Sequence, residues 1–347
     1  MYSINDKNSQ RILWVDYAKV ICIFLMVVGH SGLDAINLTF RGFFYYFHIP
    51  CFFILSGYLN NPKKLSVLLH SLLIPVFVFN LLNYPWYVYN LWHHHAVFDI
   101  HTLLLQPLLG LWLHDMNIGI PLCGPFWFVI VLLLDKLVVD CLGLYKKSYI
   151  LTIFSILCIL VVYVFPNLFE TKWLFLINKG IISFPFFALG VIIKEMNLEQ
   201  KLKNAIEINT LRIIIGGGIF ILLLLFYYIN GLVDMYQGKL GNVLLYYGGG
   251  IIGSFGVYLV SNLLANNISR TKEIIELSKG TLVILGFHSV VLFGIKKCLL
   301  FHIYSLFQFE NQGIIMAIFT IIILYPSNPQ LSSSASFLRL NVLSSLN

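Results

Sequence analysis

The sequence predicts an all-α integral membrane protein of about ten transmembrane helices with its N- and C-termini in the cytoplasm. Composition, the recurrence of apolar runs and the placement of lysine and arginine each point there. Hydrophobic residues make up 59% of the 347 residues and charged residues only 11%, with a mean hydropathy of +0.86. A soluble domain carries roughly 25% charged residues. The apolar runs recur along nearly the whole chain, and many approach the roughly 20 residues that a bilayer-crossing helix needs.

In chain order the spans fall at about 12–31, 43–60, 65–91, 126–144, 149–165, 174–193, 211–230, 242–264, 281–303 and 313–326. Residues 102–113 are apolar but short, which reads as a re-entrant or interfacial helix. An even number of spans with the N-terminus inside makes a demand on every loop, because lysine and arginine collect on the cytoplasmic side. Lys7, Arg11, Lys63, Lys64, Lys146, Lys147, Lys194, Lys201, Lys203, Arg212, Arg270, Lys272, Lys279 and Arg339 then fall inside. Arg41, Lys172 and Lys239 fall outside, and Lys19, Lys136, Lys179, Lys296 and Lys297 lie within or at the edges of spans. The loop from Trp92 to Gly124 has histidines and aspartates but no lysine or arginine, and belongs outside.

Residues 1–326 therefore read as a single membrane domain and 327–347 as a polar C-terminal tail. Serine and asparagine replace the apolar pattern in that tail, either as a disordered cytoplasmic segment or as a truncated or frame-shifted end.

The net charge of +7 is spread over the ends of apolar runs and forms no stripe with interleaved aromatics. The lipid bilayer is thus the expected partner, and nucleic acid is excluded. The six cysteines have no C-x-x-C spacing and mostly lie inside apolar runs, as packing residues without a disulfide framework or a metal site. Asp16 and Lys19 interrupt the first run, so it does not read as a cleaved signal peptide. Ser56-Gly57, Gly216 to Gly218 and Gly248 to Gly250 lack the context of a nucleophile elbow or a phosphate loop and read as packing or hinge positions. His93 to His95 read as a solvated loop, since consecutive side chains do not converge on a metal.

The informative residues are the ionisable ones inside spans. Lys19 and His30 are eleven residues apart, so on a helix they differ by about 20° in direction and about 16 Å along the axis. Asp16 lies within about 60° of both. Each such group costs roughly 2.5–3.5 kcal/mol at a helix centre, so the stripe should face protein or a water-filled cavity. The competing reading pairs Asp16 with Lys19 and leaves His30 at the interface. His48, near the outer end of the second span, is expected at the depth of His30, and imidazoles can exchange protons near neutrality. His288, about eight residues into the ninth span, is expected near the depth of Lys19.

At these residues the chain resembles the membrane acyltransferase family 3, whose first helix carries a basic residue, ten others and a histidine. Here that is Lys19-x10-His30, with lysine in place of the commoner arginine. "FHIPCFFILSGY" resembles the second-helix block of the sugar, fucose 4-O-acetylase-like, branch. "GPFWF" (Gly124 to Phe128), "SFPFFALG" (Ser183 to Gly190) and "LSKGTLVILGFH" (Leu277 to His288) are further matches.

The resemblance implies a bacterial inner- or plasma-membrane enzyme. It would move an acyl group, most often acetyl, from cytoplasmic acyl-CoA to a hydroxyl of an exported sugar or polysaccharide. It implies no bound cofactor, with acetyl-CoA as donor substrate and glycan-assembly proteins as further partners. Lys19 would hold the anionic part of the donor, and His30 would act as general base or carry the acyl group. His48 and Trp127 would border the acceptor pocket. Arg41 and Asp16 would assist substrate binding, and His288 would take a donor-side or structural role. Two readings from other classes stay open: a polysaccharide exporter or flippase of the same family without transferase activity, and an inactive scaffold.

Overall fold

A helix occupies each of the ten apolar runs in the computed structural model, which describes residues 11–31, 42–94, 96, 98–113, 122–170, 174–206, 209–268, 271–302 and 312–325. In chain order they are α1 (Leu13–His30), α2 (His48–Tyr58), α3 (Leu65–His93), α4 (Gln106–Leu113), α5 (Trp127–Cys141), α6 (Ser148–Val164), α7 (Pro166–Glu170) and α8 (Phe175–Glu195). Then follow α9 (Leu198–Ala205), α10 (Asn209–Asn230), α11 (Val243–Asn267), α12 (Thr271–Lys279), α13 (Thr281–His302) and α14 (Gln312–Leu324). Among the described residues the only β pairing is the bridge between Asp234 and Lys239. Among the described residues five helices, α1, α3, α8, α10 and α11, are long and apolar enough by themselves to cross a membrane. A sixth joins them if α12 and α13, bent by 72° at their junction, count as one span. The remaining apolar helices are shorter, with 11 residues in α2, 15 in α5, 17 in α6 and 13 in α14.

The run expected at 43–60 is broken, with a helical turn at 42–45 and α2 starting at His48. Pro50 accounts for the break: it has no N–H to donate, and its ring clashes with the carbonyl four residues earlier. The short helix expected at 102–113 is present. It begins as a wide turn at His101–Leu105 and continues as α4. Hydroxyls of α3 hold it, Tyr87 donating to the Thr102 carbonyl at 2.6 Å and Tyr84 to the Leu103 carbonyl at 3.0 Å.

Small residues set how closely the central helices approach. A Cβ on Gly57 of α2 would overlap the backbone oxygen of Phe187, and one on Gly190 of α8 would overlap the backbone oxygen of Ile54. The two helices thus cross backbone to backbone, as helices do in lipid where van der Waals packing drives association. On α11, Gly249 receives the ring of Tyr46, Gly250 that of Phe186 and Gly253 that of Phe47. Tyr46, Phe53, Phe186, Phe187 and Tyr246 are fully buried around these contacts. Gly216 to Gly218 on α10 differ from the packing reading, since nothing lies within 4 Å of a Cβ at any of them. Their helix presents most of its surface outward, with only 11% of its apolar window buried.

Cys22, Cys51, Cys123 and Cys158 are buried as free thiols and Cys141 is exposed. His93 and His94 are exposed at the end of α3. His95, Arg41 and the tail at 327–347 lie outside the described residues.

Gly57→Ala and Gly190→Ala should each destabilise the detergent-solubilised protein by about 1–3 kcal/mol through overpacking. Gly217→Ala should leave stability unchanged or raise it by up to about 1 kcal/mol from helix propensity. Thermal unfolding of the three variants checks this, and equal melting temperatures would refute the backbone contact of α2 and α8.

Candidate active site

Lys19, Ile23, Met26 and His30 follow one another at helical spacing on α1 and line a cavity of about 500 Å³. Asp16, at the edge of that stripe, and Tyr17 are buried but do not line the cavity. The second wall is α2, whose His48, Phe52 and Ser56 form a stripe at intervals of four next to the face that Gly57 fastens to α8. The third wall is α5, with Trp127, Phe128, Leu132 and Lys136, and the fourth is the start of α13, with Thr281, Leu282, Leu285 and Ser289. Phe128 packs its ring on Phe53 at 4.7 Å and on Phe52 at 5.8 Å, locking α5 to α2.

One end of the cavity is cationic. Lys19 comes from the first half of α1, Lys136 from the last turns of α5, and Asn61 and Lys63 from the loop joining α2 to α3. The other end is aromatic and imidazole-rich. His30 closes α1, Tyr45 and His48 stand before and at the start of α2, and Trp127 opens α5 after the turn Gly124–Phe126. The connection from α10 to α11 completes that end with Asp234, Tyr236 and Gln237. Tyr236 packs on Trp127 at 5.8 Å and on Phe175 at 5.2 Å. The turn beneath it is held by the Asp234–Lys239 bridge and by Gly238. With φ at +77°, Gly238 occupies backbone space that side chains rarely enter, tight against the Phe169 carbonyl. Lys179 is fully buried behind this wall, its ammonium donating to the Phe169 carbonyl at 2.8 Å and lying 5.3 Å over the Phe175 ring.

The imidazoles are oriented by the backbone. Nδ1 of His48 lies 2.8 Å from the Phe44 carbonyl, which can only accept, so Nδ1 carries the proton and Nε2 of the neutral ring is left as an acceptor. The same argument fixes His288, whose Nδ1 faces the carbonyls of Leu285 at 2.9 Å and Ile284 at 3.2 Å. Its Nε2 is 3.3 Å from the Ser289 hydroxyl. His288 is fully buried and its own helix occupies both ring nitrogens, while its ring lies 5.1 Å from that of His30.

The depth expected for His288 is therefore corrected: it stands beside His30, not level with Lys19. The expectation counted from a membrane edge at the start of α13. Ser278, before the 72° bend, already donates to Asp16 in the first turn of α1 at 2.5 Å, and the ten residues from there to His288 carry its ring up to that of His30. The pairing of Asp16 with Lys19 is corrected too. Both carboxylate oxygens of Asp16 accept from Arg11 at 2.7 Å, and Ser278 takes a further site, so Asp16 ties the start of α1 to α12 outside the cavity lining. Arg11 wins because its planar fork matches a carboxylate bidentately.

Of the residues expected from sequence, Lys19, His30, His48 and Trp127 meet on one cavity, Asp16 and His288 stand just behind it, and Arg41 is outside the described residues. Sequence reasoning missed Lys63, Lys136, Asp234, Tyr236 and Gln237. Lys136 carried a usable signal, since a lysine inside a span demands the same explanation as Lys19. The α10–α11 connection carried none, because its role depends on where the helices bring it.

The acyltransferase-domain model of the acyltransferase 3 family matches residues 12–327. No curated protein and no solved structure matches the chain. The matched range takes in every residue that lines the cavity, and with it this multi-pass, all-helical membrane protein belongs to the acyltransferase 3 family.

Proposed function

We propose that the protein transfers an acetyl group from cytoplasmic acetyl-CoA to a hydroxyl of an exported sugar or polysaccharide, on the far side of a bacterial plasma membrane. The observation that carries this reading is the single cavity that joins Lys19 at its cationic end to His30 and His48 at the other. About 16 Å of helix separates Lys19 from His30, so a donor anchored by its anionic part near Lys19 can extend its thioester towards the imidazoles. The cytoplasmic side is assigned to the cationic end, in keeping with Lys63, Lys64, Lys146 and Lys147 on the neighbouring loops.

At the imidazole end, neutral His30 takes the proton of the acceptor hydroxyl as its oxygen attacks the thioester carbonyl. The carbon–sulfur bond then breaks, and the His30 imidazolium returns that proton to the departing sulfur, so that CoA leaves as the thiol and the imidazole is neutral again. A variant of the same chemistry has His30 carry the acyl group between two such attacks. His48, with Nδ1–H tied to Phe44, turns an accepting Nε2 towards the acceptor. Trp127 and Tyr236 offer aromatic faces, and Asp234 and Gln237 offer the hydrogen-bonding groups that hydroxyl-rich ligands require. His288 buttresses His30 from behind.

In cells whose surface glycan carries ester-linked acetyl groups through this protein, His30→Ala should abolish the acetyl groups and leave the amount of exported polymer unchanged. Loss of polymer with acetyl content retained would favour export instead. Lys19→Ala should raise the apparent KM for acetyl-CoA by about tenfold or more, the loss of one charge-assisted contact. Lys19→Arg should stay within about threefold, since an arginine also binds phosphate. Steady-state kinetics on purified protein checks this, and equal effects of the two substitutions would refute a charge role.

A further inference from the structure

The cationic end of the cavity holds more charge than the first helix supplies. Lys19, Lys63 and Lys136 all line it, from α1, the α2–α3 loop and α5. Lys136 is 5% exposed, deep in the wall, while Asn61, which also lines the cavity, is exposed. Among the described residues none of the three ammonium groups has a hydrogen-bond or ion-pair partner. Neither nearby carboxylate pairs directly with them: Asp16 is forked by Arg11, and Asp140, which attracts Lys63 and Lys136 from beyond ion-pair distance, accepts the Tyr145 hydroxyl with Oδ1 while its buried Oδ2 accepts no hydrogen bond among the described residues. Among the described residues the one acidic residue in the lining, Asp234, sits at the opposite end. Lys136 feels the repulsion of both Lys63 and Lys19. Partial burial also pulls the Lys63 ammonium below its ordinary value, in spite of Asp140.

The loop that carries Lys63 is braced. Lys194 donates to the Asn60 carbonyl at 2.8 Å and to Oδ1 of Asn61 at 2.7 Å, and Nδ2 of Asn60 donates to the Tyr145 hydroxyl at 2.6 Å. Like charges that line one partly buried site with no ion pair among the described residues are unfavourable, the more distant attraction of Asp140 and Asp16 notwithstanding, and an anion of matching charge relieves them.

We propose that Lys19, Lys63 and Lys136 form a socket for the phosphates at the nucleotide end of coenzyme A, and that this socket selects a polyphosphate-bearing donor over one with no phosphate. The inference rests on the acyl-CoA-dependent reading above and extends it to Lys63 and Lys136. Lysine suits the task as a point charge that binds phosphate without demanding one geometry.

The test is titration calorimetry of the full chain in detergent with CoA, dephospho-CoA and pantetheine. The wild type should bind CoA most tightly and pantetheine most weakly, and raised salt should weaken CoA alone. Lys63→Met and Lys136→Met should each weaken CoA by about tenfold or more, leave pantetheine unchanged and narrow the gap between CoA and dephospho-CoA. The arginine variants should restore most of the affinity. Lys136→Met should also melt no lower than the wild type, because an apolar side chain replaces an unpaired buried charge, so lost affinity is not lost folding.

CoA affinity unchanged in both methionine variants, with acetyl transfer intact, overturns the socket and leaves the transferase reading standing. His30→Ala protein that binds CoA normally yet still transfers acetyl overturns the catalytic reading and leaves the socket. A wild type with no preference for CoA over pantetheine overturns the socket outright.

Discussion

The close crossing of α2 and α8 is the contact on which the arrangement of the site depends. Gly57 and Gly190 face each other's backbones, and no larger residue fits at either position without moving a helix. That contact fastens one face of α2, and the face next to it is the one that carries His48, Phe52 and Ser56 along the cavity. The aromatic side chains Tyr46, Phe47 and Phe186 drop into glycines of α11 by the same logic. Small residues on one helix and rings on its neighbour give the dense core that lipid alone would not drive together. The cavity persists beside a core packed this tightly because its lining includes ionisable side chains, which an apolar interior does not accept.

The two ends of the cavity are held by different means. At the imidazole end the orientation comes from backbone carbonyls: Phe44 sets the tautomer of His48, and Ile284 and Leu285 set that of His288. The hairpin that completes this end is pinned by Gly238 against the Phe169 carbonyl, which also receives the ammonium of Lys179. At the lysine end side chains do the work, through the chain from Lys194 to Asn60 and Asn61 and on to Tyr145 and Asp140. In the proposed reaction the donor therefore meets lysine side chains carried by a braced loop and two helices, and the acceptor meets imidazoles oriented by backbone carbonyls. Lysines tolerate variation in where a phosphate sits, whereas proton transfer requires heavy atoms held within hydrogen-bond reach.

Much of the fold was legible in the sequence because membrane helices announce themselves by length and apolarity. Each of the ten runs is a helix, and even the short one at 102–113 appears. The errors have local physical causes. Pro50 splits the second run, and α13, starting from the bend at Gly280, carries the ring of His288 up to that of His30. Gly216 to Gly218 and Gly248 to Gly250 look alike as letters, yet the second set receives aromatic rings and the first meets nothing.

From sequence alone came the class of molecule, the place of its helices, and the placing of Lys19 and His30 on one face of α1, since helical geometry follows from spacing without knowledge of any neighbour. Which groups would face them was decided only by the tertiary structure. Lys63, Lys136, Asp234, Tyr236 and Gln237 come from loops and helices as far as about two hundred and twenty residues away, and they share a cavity only once α2, α5, α8 and the α10–α11 hairpin are packed. The fate of Asp16 was settled the same way. Its spacing allowed Lys19 as a partner, but the fork of Arg11 and the hydroxyl of Ser278 reach it first. Side-chain pairing is a competition among all groups within reach, and reach in three dimensions is what a linear spacing cannot state.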